Sequence, residues 1–212
     1  MKRTRDILTV VAIAGVAFLA GRIGLPIVGN SAANAQDHQH DQGMEMPPHV
    51  KAMMDAGKPG EFHKQLENLI GEFDAEVKIW ETPDSEPMKF TGTVTREWIL
   101  GGRFIKEIVK AQGEMGPFEA IAYIGYNNID GQYETIWMES MSTAIIKGSG
   151  SFNPDKKEFF TMSKYRNPYT HKLITNWNKI ELGNSSRQVA TGWETTVDGR
   201  DFKNFEGVFE RK

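Results

Sequence analysis

The sequence of 212 residues contains no cysteine. This absence excludes disulfides, thiolate zinc sites, iron–sulfur clusters, cysteine nucleophiles and lipid attachment through cysteine. The sequence also lacks an excess of positive charge, since 25 Lys and Arg residues stand against 28 Asp and Glu residues. A nucleic-acid-binding protein needs a basic face, so we expect no nucleic-acid partner.

The apolar residues, by contrast, are numerous enough to form a core, because 39% of the sequence is hydrophobic. The 21 glycines exceed the usual share of about 7% and indicate many tight turns. The length fits one domain of about 150 residues with an additional segment.

The first 35 residues have the pattern of a secretory signal. A basic start, Met1–Arg5, precedes an uncharged apolar run, Ile7–Gly21, and Ala33–Ala35 provides small residues for cleavage. The run is shorter than the roughly 20 residues of a membrane span, but Arg22–Val28 could extend it into a retained N-terminal transmembrane anchor. We favour a cleaved signal peptide. In either case we expect export to the periplasm or another extracytoplasmic space, and contact with a membrane only through this segment if it is uncleaved.

Residues 36–58 are polar, contain a proline pair and show no apolar period, so they predict a flexible linker. The linker is rich in histidine and methionine, whose imidazole and thioether groups suit copper and related metals. Metal handling through His38, His40 and His49 is therefore one alternative function. We favour a solvated spacer, because a linker has no preformed metal geometry.

Residues 59–212 form the predicted folded domain. The apolar spacing in Glu61–Ile70 predicts one short helix that caps one end of the domain. From Gly71 onward, apolar and polar residues alternate in about ten segments bounded by turn residues, with Asp198-Gly199 as a strong hairpin signal.

Short sequential connections make neighbouring strands antiparallel, and closure of the sheet removes its exposed edges. The predicted fold class is therefore all-β, an up-and-down antiparallel lipocalin-like (calycin-type) barrel of about ten strands. A two-sheet sandwich with Greek-key links is the alternative.

A barrel of this size can enclose a small-molecule cavity, so our leading hypothesis is a protein that binds a small, mostly apolar molecule inside the barrel. Arg96 shares a strand face with Trp98, and Glu139 shares one with Trp137. If these faces point inward, the Arg and the Glu meet as a structural ion pair or as a handle for a polar ligand group. The candidate ligand-binding residues are Arg96, Trp98, Arg103, Tyr126, Trp137, Glu139 and Ser140.

Enzyme activity is a further alternative, although the sequence identifies no catalytic residues and specifies no cofactor. Ser140 and Ser142 lie beside Glu139 without a histidine in the neighbouring pattern, which argues against a nucleophile and base pair. His171 is the only histidine after the helix and would be the axial ligand of a haem. A haem-dependent enzyme or a small-molecule isomerase or hydrolase stays open, and we lean against an enzyme.

Several segments, taken in order, resemble those of the domain of unknown function 1579 family. They are Pro59–Leu66, Leu69–Phe73, Trp98–Phe104, Pro117–Glu119, Gly125–Asn127, Trp137–Thr143 and Asp198–Lys212. The sequence departs from the family at Phe73, where Trp is usual, and at Asn127 and Glu139, where Asp is usual. The resemblance implies a lipocalin-type barrel, often exported from bacteria, and it leaves the function open.

Overall fold

The computed structural model describes residues 46–168, 170–184, 186–196 and 199–212. Two short helices and a 3-10 turn precede ten strands. The elements are α1 (Pro48–Ala56), α2 (Glu61–Lys64), the 3-10 turn (Glu67–Leu69), β1 (Gly71–Ile79), β2 (Met88–Ile99), β3 (Phe104–Gly113), β4 (Gly116–Asn127), β5 (Gln132–Glu139), β6 (Ile146–Asn153), β7 (Glu158–Arg166), β8 (Leu173–Asn184), β9 (Arg187–Thr195) and β10 (Asp201–Arg211). The signal segment, most of the linker and Asp198 lie outside the described residues.

The ten strands form one closed barrel. Each strand pairs antiparallel with the strands before and after it in the sequence, and β1 pairs with β10. The predicted up-and-down, lipocalin-like barrel is confirmed, and the Greek-key sandwich is wrong. Closure is the physical reason, because it leaves no strand edge unpaired.

The period of two in the sequence places alternate side chains inside the barrel. In β5, Tyr133, Thr135, Trp137 and Glu139 are buried, and the residues between them are half-buried or exposed. The hairpin turns use residues that tolerate positive φ, as in the β2–β3 turn at Gly101–Gly102, where φ is 67° and 80°.

The barrel has two different ends. The connections after β2, β4, β6 and β8 lie at the end where α2 enters β1, which we call the capped end. The connections after β1, β3, β5, β7 and β9 lie at the other end, which we call the open end. A residue's position along its strand therefore decides whether it lies near the capped end or the open end.

The cap is shorter and more divided than the single helix predicted over Glu61–Ile70. The α-helix ends at Lys64, and a 3-10 turn follows at Glu67–Leu69. Three residues per turn bring Leu66 and Leu69 onto one side, and both are fully buried against the ends of the strands. The tighter turn therefore serves burial better than a continuous helix.

The expectation of a linker without regular structure is wrong for residues 48–56, which form α1. Pro48 occupies the first turn, where proline is tolerated, and alanine and methionine favour the helix. Asn128 on the β4–β5 connection donates its side-chain N–H groups to the carbonyls of Ala56 and Lys58, both at 2.8 Å. These bonds join the end of α1 to the barrel.

Within the described residues, no helix is both long and apolar enough to cross a membrane. The anchor that the sequence suggests falls on residues 1–35, outside that part of the chain.

Candidate ligand cavity

A cavity of about 90 Å³ lies inside the barrel and runs between its two ends. Its wall is predominantly apolar. Aliphatic side chains such as Val94 and Val109 and aromatic rings from β2, β4, β5, β7 and β10 form most of it. The rings are Phe90, Phe118, Trp137, Phe159, Phe205 and Phe209.

Three methionines line the cavity at the open end. Met88 begins β2, Met115 lies in the β3–β4 turn, and Met141 lies just after β5. We call this group the mouth. Methionine side chains are unbranched and adapt to irregular shapes, so the mouth can rearrange around a ligand at low cost.

A buried ion pair lies at the floor of the cavity, near the capped end. The Arg96 guanidinium is bonded to the Glu107 carboxylate, and both side chains are less than a tenth exposed. Arg96 also donates to Gln188 Oε1 at 2.7 Å, and Gln188 in turn donates to the carbonyl of Asn68 at 2.6 Å. This chain of contacts connects the floor to the cap.

The expectation that Arg96 and Glu139 meet is wrong. Arg96 stands directly opposite Glu107 on the neighbouring strand β3. Glu139 stands opposite Ala120, at the open end of β5. The interior ion pair thus exists with a different carboxylate, because cross-strand register brings Glu107 within contact distance first.

Glu139 has an unusual environment at the open end. Its carboxyl is buried, Trp137 Nε1 donates weakly to Oε2 at 3.4 Å, and Oε1 has no hydrogen-bond partner. Burial raises the pKa of Glu139 to about 7, against smaller lowering effects of the Trp137 and Ser142 side chains.

A second carboxyl, Glu194, lies at the open end of β9. The Tyr165 hydroxyl donates to Glu194 Oε2 at 2.8 Å, and Asn204 donates to the same oxygen at 3.2 Å. Burial raises the pKa of Glu194. Burial also raises the pKa of Tyr165, and the negative charges of Glu194 and Glu139 raise it further.

A row of mostly polar residues runs across the part of the barrel formed by β5 to β9. Thr135, Gly148 and Ser163 lie side by side on β5, β6 and β7, and the register carries on to Asn176 and Glu194 on β8 and β9. The hydroxyls of Thr135 and Ser163 are buried without partners. The interior therefore has an apolar wall and a polar wall with unused hydrogen-bonding groups.

The other predicted ligand-binding residues lie outside the interior cavity. Trp98 Nε1 donates to Glu67 Oε2 at 2.9 Å beside the cap. Arg103 and Tyr126 lie at the capped end, and Ser140 accepts a hydrogen bond from the backbone N–H of Glu119 at the open end. Of the seven predicted residues, only Arg96 and Trp137 line the cavity.

A groove of about 480 Å³ lies on the outside of the barrel, between α1 and strands β3 to β5. Arg103 and Tyr126 line it together with His63 and Met53. His63 Nδ1 accepts the backbone N–H of Gly60 at 3.1 Å. Burial, with a contribution from the Arg103 charge, lowers the pKa of His63 and favours the neutral imidazole.

The residues of the metal and haem hypotheses are not assembled in the part of the chain that the structure describes. His49 is exposed on α1, and His38 and His40 lie outside the described residues. No group of three metal-ligating side chains occurs in the described part. His171 is exposed in the β7–β8 connection and does not line the cavity.

Sequence reasoning missed Glu107, Glu194 and Tyr165. The signal for Glu107 is present, because Lys106 and Lys110 mark the outward face of β3 and leave Glu107 among inward residues. No comparable signal marks Glu194, since its burial depends on contacts with Tyr165 on a strand that is not its neighbour.

The comparisons with known proteins identify a family. The family model described as "Protein of unknown function (DUF1579)" matches residues 58–211. No protein with a curated description matches the chain.

Two solved structures share the fold at low sequence identity. Rv2717c from M. tuberculosis is 15% identical with a TM-score of 0.51, and the alignment covers 73% of this chain and 99% of that one. The S-type phycobiliprotein lyase CPES from Guillardia theta is 8% identical with a TM-score of 0.50, over 75% of this chain and 96% of that one. Likeness at this level shows the barrel fold alone.

Proposed function

Since the chain belongs to the DUF1579 family of proteins of unknown function, its own geometry has to suggest a role, and we propose that it binds a small, mostly apolar molecule inside the barrel. One observation carries the proposal, namely the apolar cavity of about 90 Å³ that reaches from the Arg96–Glu107 floor to a mouth of methionines. Burial of apolar ligand surface there contributes roughly 25 cal/mol per Å².

The size of the cavity limits the ligand. An apolar cavity of about 150 Å³ accommodates benzene, and drug-sized ligands occupy about 300–1,000 Å³. The space in this barrel is smaller. Even a single ring or a short alkyl chain therefore requires the mouth and Phe118 to move.

Calorimetric titration with toluene tests the proposal. Ala122 lines the cavity and is 2% exposed, so the Ala122→Leu variant fills the space with additional carbon atoms. We expect its affinity for toluene to fall at least about tenfold, which corresponds to about 1.4 kcal/mol. Ala144→Leu makes the same change at an exposed position and should bind as the unmodified protein does.

Two results contradict this proposal. Equal affinities of the Ala122→Leu variant and the unmodified protein would place the binding site elsewhere. The absence of binding heat with both proteins would show that the cavity does not accept an apolar guest. Thermal unfolding of each variant confirms that the barrel is intact.

We further propose that residues 1–35 direct export of the protein and are then removed. The support is the basic start followed by an apolar run and small residues before Gln36. Cell fractionation should find the protein outside the cytoplasm with Gln36 as its first residue, and Val11→Arg within the apolar run should retain it inside. A protein that keeps Met1 at the membrane supports the anchor instead, and one that keeps Met1 in the cytoplasm overturns the proposal.

A further inference from the structure

We propose that the ligand of the barrel carries a basic nitrogen, and that Glu139 receives this group at the open end, beside the Tyr165–Glu194 pair. This inference rests on the proposed function, because it names the chemical class of molecule that the same interior takes.

Buried charge in the barrel is unbalanced at the open end. Within the described residues, the buried basic side chains are Arg96 and His63. Arg96 is bonded to Glu107, and His63 lies in the cap. In that same part of the chain, Glu139, which is buried, and Glu194, which is half-buried, have no buried basic partner at the open end. A buried carboxylate without a counter-charge is costly, and a cation supplied by a ligand removes that cost.

Three buried hydrogen-bonding side-chain atoms in the described part of the chain have no partner. Oε1 of Glu139 and the hydroxyl oxygens of Thr135 and Ser163 are buried without partners. Buried polar groups are nearly always paired in folded proteins, so each unpaired one requires an explanation. An ammonium group has three donors and can supply one to Oε1 of Glu139. Thr135 lies four residues, about 13 Å, along β5 from Glu139, so its hydroxyl and that of Ser163 lie deeper in the barrel than the ammonium group.

The position of Glu139 beside the cavity also fits this role. Glu139 itself does not line the cavity, but it lies between Trp137 and Met141, which do. Its side chain is directed inward, and Trp137 Nε1 donates to its Oε2. Thr135 lines the cavity on the same strand face.

The same groups disfavour the other headgroups. A ligand carboxylate would be repelled by Glu139 and Glu194, because like charges at short range in a buried site are strongly unfavourable. A hydroxyl would satisfy one acceptor and would leave the charge unbalanced. The apolar wall of the cavity accommodates the hydrocarbon part of the ligand equally well whether its polar group is an amine, a carboxylate or a hydroxyl.

Three probes with the same six-carbon chain separate these possibilities, namely hexylamine, 1-hexanol and hexanoate. Calorimetry at pH 8 should show hexylamine binding at least about tenfold more tightly than 1-hexanol, and hexanoate more weakly than either. Burial raises the pKa of Glu139 to about 7, so at pH 6 hexylamine must displace a proton from this carboxyl. Titrations in buffers of different ionisation enthalpy should then report release of close to one proton.

The matched variants are Glu139→Gln and Glu97→Gln. Glu139→Gln keeps the shape and removes the charge, and it should abolish both the hexylamine preference and the proton release while 1-hexanol binding persists. Glu97 is on the outer surface of β2 with a side chain 60% exposed, so Glu97→Gln should change neither.

The outcomes distinguish the two proposals. Binding of 1-hexanol without a preference for hexylamine would overturn the inference and leave the proposed function standing. A hexylamine preference that survives in Glu139→Gln would overturn the role of this residue. Failure of all three probes to bind would overturn both the inference and the proposed function.

Discussion

Replacing Glu139 by glutamine should stabilise the protein, and the gain should grow with pH. Burial raises the pKa of this carboxyl from 4.5 to about 7. Each pKa unit corresponds to about 1.4 kcal/mol, so ionised Glu139 lowers the free energy of unfolding by about 3 kcal/mol above pH 7. Glutamine has a similar shape and no charge to desolvate.

The direction of the change is set by proton linkage. Below about pH 4.5 the carboxyl is protonated in both the folded and the unfolded protein, so the charge has no effect on stability. Between about pH 4.5 and 7 the unfolded chain ionises and the folded protein keeps its proton, so stability falls as pH rises. Above about pH 7 the loss is complete and constant.

Urea unfolding of the unmodified protein and Glu139→Gln at pH 4.5, 6, 7 and 8 measures this difference. The stability gain should increase by up to about 1.4 kcal/mol per pH unit across the window and then level off. Glu97→Gln, at an exposed carboxyl, should show a difference that does not vary with pH. A gain for Glu139→Gln that is equally flat would refute the reasoning, because it would mean that the folded protein ionises Glu139 as easily as the unfolded chain does.

Three further perturbations act on other parts of the fold. Glu107→Ala leaves the Arg96 guanidinium buried without its carboxylate and should lower the free energy of unfolding by about 3–5 kcal/mol in urea. The double variant Arg96→Met with Glu107→Leu should recover most of that loss, and a double variant as unstable as the single one would refute this. Leu69→Ala removes a fully buried side chain from the cap and should cost about 2–5 kcal/mol in the same assay, and a loss below about 1 kcal/mol would show that the cap contributes little. Asn128→Ala should release the end of α1, seen as faster hydrogen exchange in residues 48–56, with less than about 1 kcal/mol change in global stability; unchanged exchange would show that other contacts hold the helix.

Most of the barrel could be predicted from the sequence because its rules are local. Alternating burial, as in β5, requires only a period of two, and the turns contain residues such as Gly101 and Gly131 that adopt positive φ. Short connections then favour antiparallel pairing of consecutive strands, which is the up-and-down topology. The division of the cap was not predictable, because it depends on how Leu66 and Leu69 meet the strand ends.

The candidate site was less predictable, because its members come from strands far apart in the sequence. The sequence correctly placed Arg96 and Trp137 on inward faces. It could not tell whether Glu107 or Glu139 pairs with Arg96, since that depends on strand register. Nor could it show that Tyr165 reaches Glu194 across an intervening strand.

The pairing of the first strand with the last places both ends of the domain at the same end of the barrel. The final residue, Lys212, donates its backbone N–H to the carbonyl of Glu72 at 3.0 Å, so the chain enters and leaves the barrel side by side at the capped end. The mouth of methionines faces the opposite way. A tether, a partner domain or a surface attached at either terminus would therefore stand behind the barrel and leave its entrance unobstructed.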